Sequence, residues 1–598
     1  MSTTYRSVHW NRQKRLYDIV LAAIVIAGVG SFVGTSLALK SGITAETLII
    51  RATALTALIL LHFILCIGPL ARLDRRFLPL LYNRRHFGVT MFLLAAIHAV
   101  FSVIQFHALG NLNPLLSVLT SYRREYGVPD GIEHFPFEPF GLLALIILFV
   151  MAATSHDFWL RNVGASFWKT MHCGVYVAYG SLIVHVAYGI LQSEPSTFYP
   201  VFLGVGFVVV SGFHLAAARR ERRTDRQVAS APRERFLQAC KLHDLETSKG
   251  HVAVIAGKRV AVYAQDGRVY ALSNVCRHQG GPVGEGCVVD GFATCPWHGW
   301  QYRLDNGQSP PPFDTEFVPT HNVRIADGVV YVDPVPNPPL TVCEGAPFDE
   351  QPSKGGAREF FIGYLPKMPE ALARRTRNLA IVAIVATVAV VGSIAGIQQP
   401  FDRGTFEFGV TRSFEGILME APVASLHNDT DDDNPREYLL SAAGKMGLPQ
   451  IARGHHGDRV RFDGSLIYRD GLHMIEMNAP DSFEVIETTR TRPAILPGAD
   501  VRVVGELVDT KCFLGVMRPA HGKVHRACAI RCLEGGIPPG LWVRNETTDA
   551  VYILAGKDNQ PLEIDFQLAG RTVEVEGEAE RYGTLSIIRV TSLQPAGE

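Results

Sequence analysis

The chain has 598 residues, too many for one hydrophobic core, and its 57 Lys and Arg balance its 57 Asp and Glu. A net charge of zero gives no general attraction to nucleic acid, which is excluded as a partner. Only 19% of residues are charged against 47% hydrophobic, a balance expected of a long chain whose apolar residues gather in membrane spans.

Seven apolar runs, near 17–39, 48–70, 88–107, 139–154, 170–190, 199–217 and 379–397, are long enough or nearly so to cross a ~30 Å hydrocarbon layer as helices. The fourth is short, but Pro139 at its start and its place between two good spans favour a membrane helix. The expected order is a six-helix bundle over 1–217, a soluble insert, and one more span. The first run follows Arg6, Arg12, Lys14 and Arg15 and has no small-residue cleavage site, so it reads as an anchor and not a removable signal.

Arg and Lys beside spans resist translocation and set orientation. Arg72, Arg75, Arg76, Arg84 and Arg85 fill the second connection; Arg219, Arg220, Arg222, Arg223 and Arg226 follow the sixth span; Arg374, Arg375 and Arg377 precede the seventh. The third-to-fourth loop has only Arg123 and Arg124, and the fifth-to-sixth has neither Arg nor Lys. Residues 218–378 are therefore expected in the cytoplasm of a cell whose inner membrane holds the spans, with 398–598 periplasmic or extracellular.

His86 and His98 belong to the third span, His172 and His185 to the fifth. Intramembrane histidines are costly and suggest ligands. Both spans run outward, so His86 and His172 fall at the cytoplasmic edge, with His98 and His185 near mid-membrane. The two levels are roughly 18–20 Å apart, enough for two stacked b haems, each taking one imidazole from each helix. Helical phase opposes the inner pair, because a 12-residue separation in one span and 13 in the other rotate the second ring off the first one's face. His62, His107, His156 and His214 are rivals: His62 could replace His86, while His107 and His214 at span ends read as interfacial or carbonyl-bonded.

The segments RRHFGV at 84–89, IHAV at 97–100 and FWKTMHCGVYVAYGSLIVH at 167–185 resemble the ferric-reductase-like transmembrane family, in its branch of haem-binding subunits serving methionine sulfoxide reductase. That resemblance implies one or two b haems and carries over to His98, His172 and His185, and less directly to His86. Oxidase members of the family continue into a flavin and nicotinamide module; this chain has no Gly-rich nucleotide fingerprint after the sixth span.

Beyond a basic linker at 218–235, CRHQGG at 276–281 and CPWHGW at 295–300 give a Cys-x-His, a 16-residue gap and a Cys-x-x-His. Cys276 and Cys295 on one iron, with His278 and His298 on the other, make a Rieske [2Fe-2S] centre. The rival reading of the same four residues is a zinc site. Alternating segments at 260–272 and 323–332, each with an Asp-Gly turn, read as hairpins of a small β-sandwich over 236–345. This stretch resembles Rieske ferredoxins and ring-hydroxylating dioxygenases. Gly280 and Trp297 stand where quinol-oxidising members carry an extra Cys pair, which implies the lower-potential type, with Cys287 as a packed thiol.

A linker at 346–378 and the seventh span lead to 398–598, which is β-rich. YLLSAAGK at 438–445 before GDRVRFDGSLIYRDGLHMIEM resembles YILAGK at 552–557 before GRTVEVEGEAERYGTLSIIRV, so two small barrels of OB-like type are expected. Cys512, Cys528 and Cys532 with His525 read either as a disulfide plus a spare thiol or as a soft-metal site.

The expected whole is a multidomain membrane protein transferring electrons from a cytosolic donor, a flavin reductase or ferredoxin-like protein, through a Rieske cluster and b haem to a periplasmic or quinone acceptor. It would lie among membrane lipid, and no catalytic nucleophile or general base stands out. The alternative is a redox-sensing, metal-handling or assembly protein whose exported Cys/His region binds a metal or partner.

Overall fold

A computed structural model of the chain describes residues 11–40, 42–120, 136–163, 165–226, 236–311, 313–349, 361, 368–401, 404–429, 436–488, 495–544, 549–557 and 562–596. Arg123 and Arg124 lie outside the described residues, as do parts of both linkers. Seven apolar segments are helical. The first is α1 (Arg12–Leu39), capped by Asn11, whose side chain accepts the Lys14 N–H at 2.9 Å. The second is α2 (Ala45–Leu73), and α3 (Arg84–Ser102) runs on into a π turn at Val103–His107.

A short α4 (Pro114–Thr120) precedes α5 (Glu138–Ala153), and short α6 (Asp157–Val163) and α7 (Ala165–His172) lead into α8 (Gly174–Tyr188) and α9 (Phe198–Arg226). The last membrane helix is α10 (Glu370–Ile397). Six spans are long and apolar enough to cross a membrane, α7 and α8 counting together in Phe167–Gln192, and the chain is a multi-pass membrane protein. The exception is α5, whose 16 residues cover about 24 Å.

The bundle packs around α2, whose Leu60, Leu61 and Leu65 are fully buried. Helix α10 returns along α1, with Ser31 Oγ donating to the Val388 carbonyl at 3.0 Å. Small residues permit the approach: a Cβ on Gly392 would stand 3.0 Å from Ser31 Oγ.

The insert forms an antiparallel sheet of Leu237–Lys241, Val329–Pro336, Thr320–Ala326, Arg268–Ser273, Lys258–Gln265 and Gly250–Ile255, in that spatial order. Both expected hairpins are present. Their Asp266-Gly267 and Asp327-Gly328 turns have positive φ at both residues, the conformation that matches strand twist. A three-stranded sheet of Cys287–Val289, Phe292–Thr294 and Gln301–Arg303 stands apart and carries the Cys/His loops.

The C-terminal region contains two five-strand rings of the same order. In the second, Ile495–Asp509, Pro539–Arg544, Asp549–Ala555, Leu585–Pro595 and Thr572–Tyr582 close a barrel. In the first, Arg412–Met419, Ser425–Asn428, Arg436–Ala442, Leu472–Glu487 and Arg459–Arg469 also return to their start. Each has one parallel pairing at the repeated segment, Tyr438 with His473 and Ile553 with Ile587. Helix α11 (Gly522–Glu534) is inserted between the first two strands of the second barrel.

The two soluble parts meet opposite ends of the helices. Arg259 of the insert pairs with Glu221 of α9 at 2.6 Å, and Glu285 with Arg75 at 3.1 Å. At the other end Thr47 Oγ1 donates to the Arg518 carbonyl at 2.7 Å, and Arg531 Nε to Ser117 Oγ at 3.2 Å.

Candidate functional site

The two Cys/His loops fold alike. In the first, the Cys276 N–H donates to the Gly281 carbonyl at 2.9 Å and the Gly280 N–H to the Cys276 carbonyl at 2.8 Å. In the second, the Cys295 N–H donates to the Trp300 carbonyl at 2.8 Å and the Gly299 N–H to Cys295 at 2.9 Å. Gly280 and Gly299 sit at φ 73° and 75°, conformations that other residues adopt only with strain. Gly281 clears the space between the loops: a Cβ there would come within 2.8 Å of Cys295 Sγ.

Cys276, His278 and Cys295 are almost completely buried, and the His278 and His298 rings stand edge to face at 4.8 Å. Tyr302 Oη lies 3.3 Å from Cys276 Sγ and accepts the Arg277 N–H at 2.8 Å. Burial drives the Cys276 thiol up, but hydrogen bonds from Cys295, Tyr302 and the backbone N–H groups of His278 and Gln279 outweigh it and hold it below 9.0. Burial lowers His278 well below 6.5 and His298 to about 3, so both rings are neutral imidazoles. Two thiols and two neutral imidazoles, converging across a cradle that a single Cβ would fill, fit a [2Fe-2S] group bound with two sulfur and two nitrogen ligands.

The loops face the bundle. His278 Nε2 lies 3.5 Å from Arg85 Nη2, and its ring faces Trp168 at 6.5 Å and 21°. Trp168 stacks on His172 at 3.8 Å, with its indole Nε1 donating to the Thr154 carbonyl at 2.9 Å. The Arg85 guanidinium sits over Trp168, and Arg72 over Trp297. An aromatic series, His278–Trp168–His172, thus joins the insert to the membrane helices.

Within the bundle, His98 and His185 meet ring to ring at 6.4 Å. Each Nδ1 is tied to a carbonyl, Ile50 at 3.1 Å and Phe137 at 2.9 Å, leaving Nε2 for a ligand. Two metal–nitrogen bonds of about 2 Å plus the ring radii give a similar separation, so this pair of imidazoles would suit the holding of a haem iron. Gly141 clears the His185 ring, since a Cβ would lie 2.7 Å from its Nδ1.

The pair lies between the middle of the bundle and one of its ends. Ile50 is in the second turn of α2 and Phe137 directly precedes α5, so the pair lies toward the end that faces the C-terminal barrels.

The structure does not give His86 and His172 a matching arrangement. His86 turns to α1, its Nδ1 3.0 Å from Asp18 Oδ1 and Oδ2, in keeping with the phase of α3. His172 stacks on Trp168 and keeps a buried Nε2 without a hydrogen-bond partner; His62 does the same against Gly206. His107 bonds Ser117 at 3.1 Å and His214 the Leu65 carbonyl at 3.2 Å, as expected of structural histidines.

Cys512, Cys528, Cys532 and His525 lie in one buried cluster, with unbonded sulfurs 4.0 Å apart for Cys512 and Cys528 and 3.9 Å for Cys528 and Cys532; ligand atoms of Cys512, His525 and Cys528 form one close group and those of Asp509, Cys512 and Cys532 another. Sequence reasoning missed Trp168, Arg85, Tyr302, Gly141 and Asp509. Arg85 lies within RRHFGV, Trp168 within FWKTMHCGVYVAYGSLIVH and Tyr302 just past CPWHGW, so these three stood in or beside motifs already singled out.

Residues 235–312 match the Rieske [2Fe-2S] domain, and residues 53–183 the ferric reductase like transmembrane component. The ferredoxin component of the naphthalene 1,2-dioxygenase system of Pseudomonas aeruginosa is 24% identical over 100 residues, 17% of this chain and 96% of that protein. The ferredoxin subunit of anthranilate 1,2-dioxygenase from Burkholderia cepacia is 32% identical over 82 residues, 14% and 76% respectively. A probable 3-ketosteroid-9-alpha-monooxygenase oxygenase component of Rhodococcus rhodochrous is 30% identical over 84 residues, and the chain spans 21% of its length. Among solved structures, the Sphingomonas yanoikuyae B1 ferredoxin has 24% identity and a TM-score of 0.16, covering 16% of this chain and 97% of that one.

Proposed function

Because this chain belongs to the Rieske [2Fe-2S] family through residues 235–312 and carries a ferric reductase like transmembrane component over 53–183, we propose that it conducts electrons across the inner membrane. The donor in this reading is a cytosolic flavin reductase or ferredoxin-like protein, and the acceptor is periplasmic or a quinone. Cys276 and Cys295 hold one iron, and His278 and His298 the other. His98 and His185 hold a b haem toward the periplasmic end; His172 and His62 are the candidates for a second ligand level, with His86 reassigned to Asp18. Bound there, cluster and haem supply one-electron chemistry.

The observation that carries the reading is the His278–Trp168–His172 series, because it places an aromatic side chain between the Cys/His loops of the insert and a buried histidine of the membrane helices. The chain's own part is to keep water out and hold the rings. Trp297 and Trp300 cover the loops, Arg72 and Arg85 seat the insert on the bundle, and burial keeps the imidazoles neutral. Sidedness in this reading rests on the Arg-rich flanks of 218–378.

The test uses inside-out vesicles given cytosolic extract with reduced nicotinamide cofactor. Cys276→Ser is expected to abolish haem reduction while haem content stays intact. Reduction at the wild-type rate would place electron entry elsewhere, and a cytoplasmic tag after residue 398 would reverse the direction.

A further inference from the structure

We propose that Cys512, Cys528, Cys532 and His525 form a closed zinc site in the C-terminal domain, independent of the electron-transfer reading. The four residues come from two pieces of chain. Cys512 opens a π turn, Cys512–Val516, at the end of the first strand of the second barrel. His525, Cys528 and Cys532 are spaced i, i+3 and i+7 along α11, which puts them on one helix face.

The sulfurs of Cys512 and Cys532 lie 4.0 and 3.9 Å from that of Cys528. Tetrahedral zinc with metal–sulfur bonds of about 2.3 Å holds its sulfurs about 3.8 Å apart, close to what is seen. Bonded sulfurs stand at about 2.05 Å, and one disulfide would leave a third thiol buried among them.

His525 supplies the second, independent observation. It is 1% exposed, and its Nδ1 is buried with no hydrogen-bond partner, while Nε2 donates to Asp509 Oδ2 at 2.8 Å. An imidazole held by a carboxylate at one nitrogen, with the other buried and unpartnered beside thiols, matches the usual arrangement of a metal-ligating histidine. Ligand atoms of Cys512, His525 and Cys528 all lie within 4.8 Å of one another. Asp509, fully buried, also accepts the Cys512 N–H at 2.8 Å, so one carboxylate fixes both strands of the site.

The donor set selects the metal. Three thiolates and one imidazole in a closed shell suit a four-coordinate structural zinc, and the 0–3% exposure of the sulfurs leaves no open position for a substrate. Zinc at this point would staple α11 to the barrel. Phe106 of the π turn of α3 packs against the same cluster, and Arg531 of α11 bonds Ser117 of α4. The staple therefore sits where the barrels meet the membrane helices, beside the end of the bundle that holds His98 and His185.

Full-length protein purified in detergent is expected to hold one zinc per chain, counted by elemental mass spectrometry. Exchange with Co²⁺ in the wild-type protein should give thiolate-to-cobalt and tetrahedral d–d absorption bands. His525→Ala should lose the zinc and His525→Cys should retain it. Cys276→Ser should leave the zinc count unchanged, which separates this site from any zinc in the Rieske loops and from failure of the electron-transfer reading. A disulfide between any two of the three cysteines in peptide mapping, stoichiometric copper or iron in place of zinc, or full zinc in His525→Ala would each overturn the assignment. Should the His525 variants fail to fold, the cobalt spectrum of the wild-type chain decides: absence of tetrahedral bands refutes it.

Discussion

The Trp168 ring faces the His278 imidazole nearly in parallel, 6.5 Å away and tilted by 21°, across the seam between the insert and the membrane helices. On its other side it stacks on His172 at 3.8 Å, so one side chain stands between the insert and the bundle. Trp168→Leu is expected to slow haem reduction by the cytosolic donor about tenfold, equivalent to about 1.4 kcal/mol in the barrier. Trp168→Phe, which keeps an aromatic ring, should be milder. Rapid-mixing absorbance in vesicles measures the rate, while an unchanged cluster paramagnetic signal shows that the insert is intact. An unaltered rate in Trp168→Leu would remove this residue from the path.

Loss of either ring of the outer histidine pair should remove a b-type haem, because neither position has another imidazole tied to the same carbonyls. His98→Ala and His185→Ala are both expected to lose its absorbance with the chain still inserted. Gly141→Ala provides the steric counterpart, since its Cβ would push on the His185 ring at 2.7 Å. His86→Ala should leave haem content unchanged. Pyridine haemochrome assay of each purified variant counts the haem.

Gly281→Ala tests the cluster cradle without removing a ligand. The added Cβ would stand 2.8 Å from Cys295 Sγ and 3.0 Å from the Trp297 ring, closer than real contacts allow. Less than half of the wild-type iron and acid-labile sulfide is expected; a normally loaded cluster would show that the loops can part.

The first barrel carries a pH-dependent pair. His427 Nδ1 lies 2.5 Å from Glu437 Oε1, and Glu437 is 1% exposed. The hydrogen bond that His427 donates to Glu437 raises the His427 pKa above 6.5 against the opposing effect of burial. A raised folded value means that the pair's stabilisation is fully present below about pH 6.5 and disappears as pH rises through the folded value. Thermal melting of the protein between pH 6 and pH 9 should show this loss in wild type and not in His427→Gln. Parallel curves for the two would refute the coupling.

Much of this architecture is local in origin. Apolar runs fix the membrane helices because a hydrocarbon layer requires backbone hydrogen bonds to be satisfied within each segment. The Cys/His loops are legible because their ligands lie within a few residues of one another and their turns require glycine at 280 and 299. The two barrels are foreshadowed by a repeated segment, Tyr438 to Lys445 and Tyr552 to Lys557, which takes the same parallel pairing in each ring.

Sequence by itself therefore determined the spans, the two Cys/His loops as a pair and the doubled β region. Only tertiary structure decided which rings meet: His98 with His185, His278 with Trp168, and His86 with Asp18 in place of His172. The physical reason is that a ring's partner depends on the rotation and slide of one helix against another, which packing over the whole bundle sets and no short motif encodes. The same holds for Cys512, which reaches Cys528 and Cys532 only because the barrel strand ending at Asp509 delivers it to the face of α11.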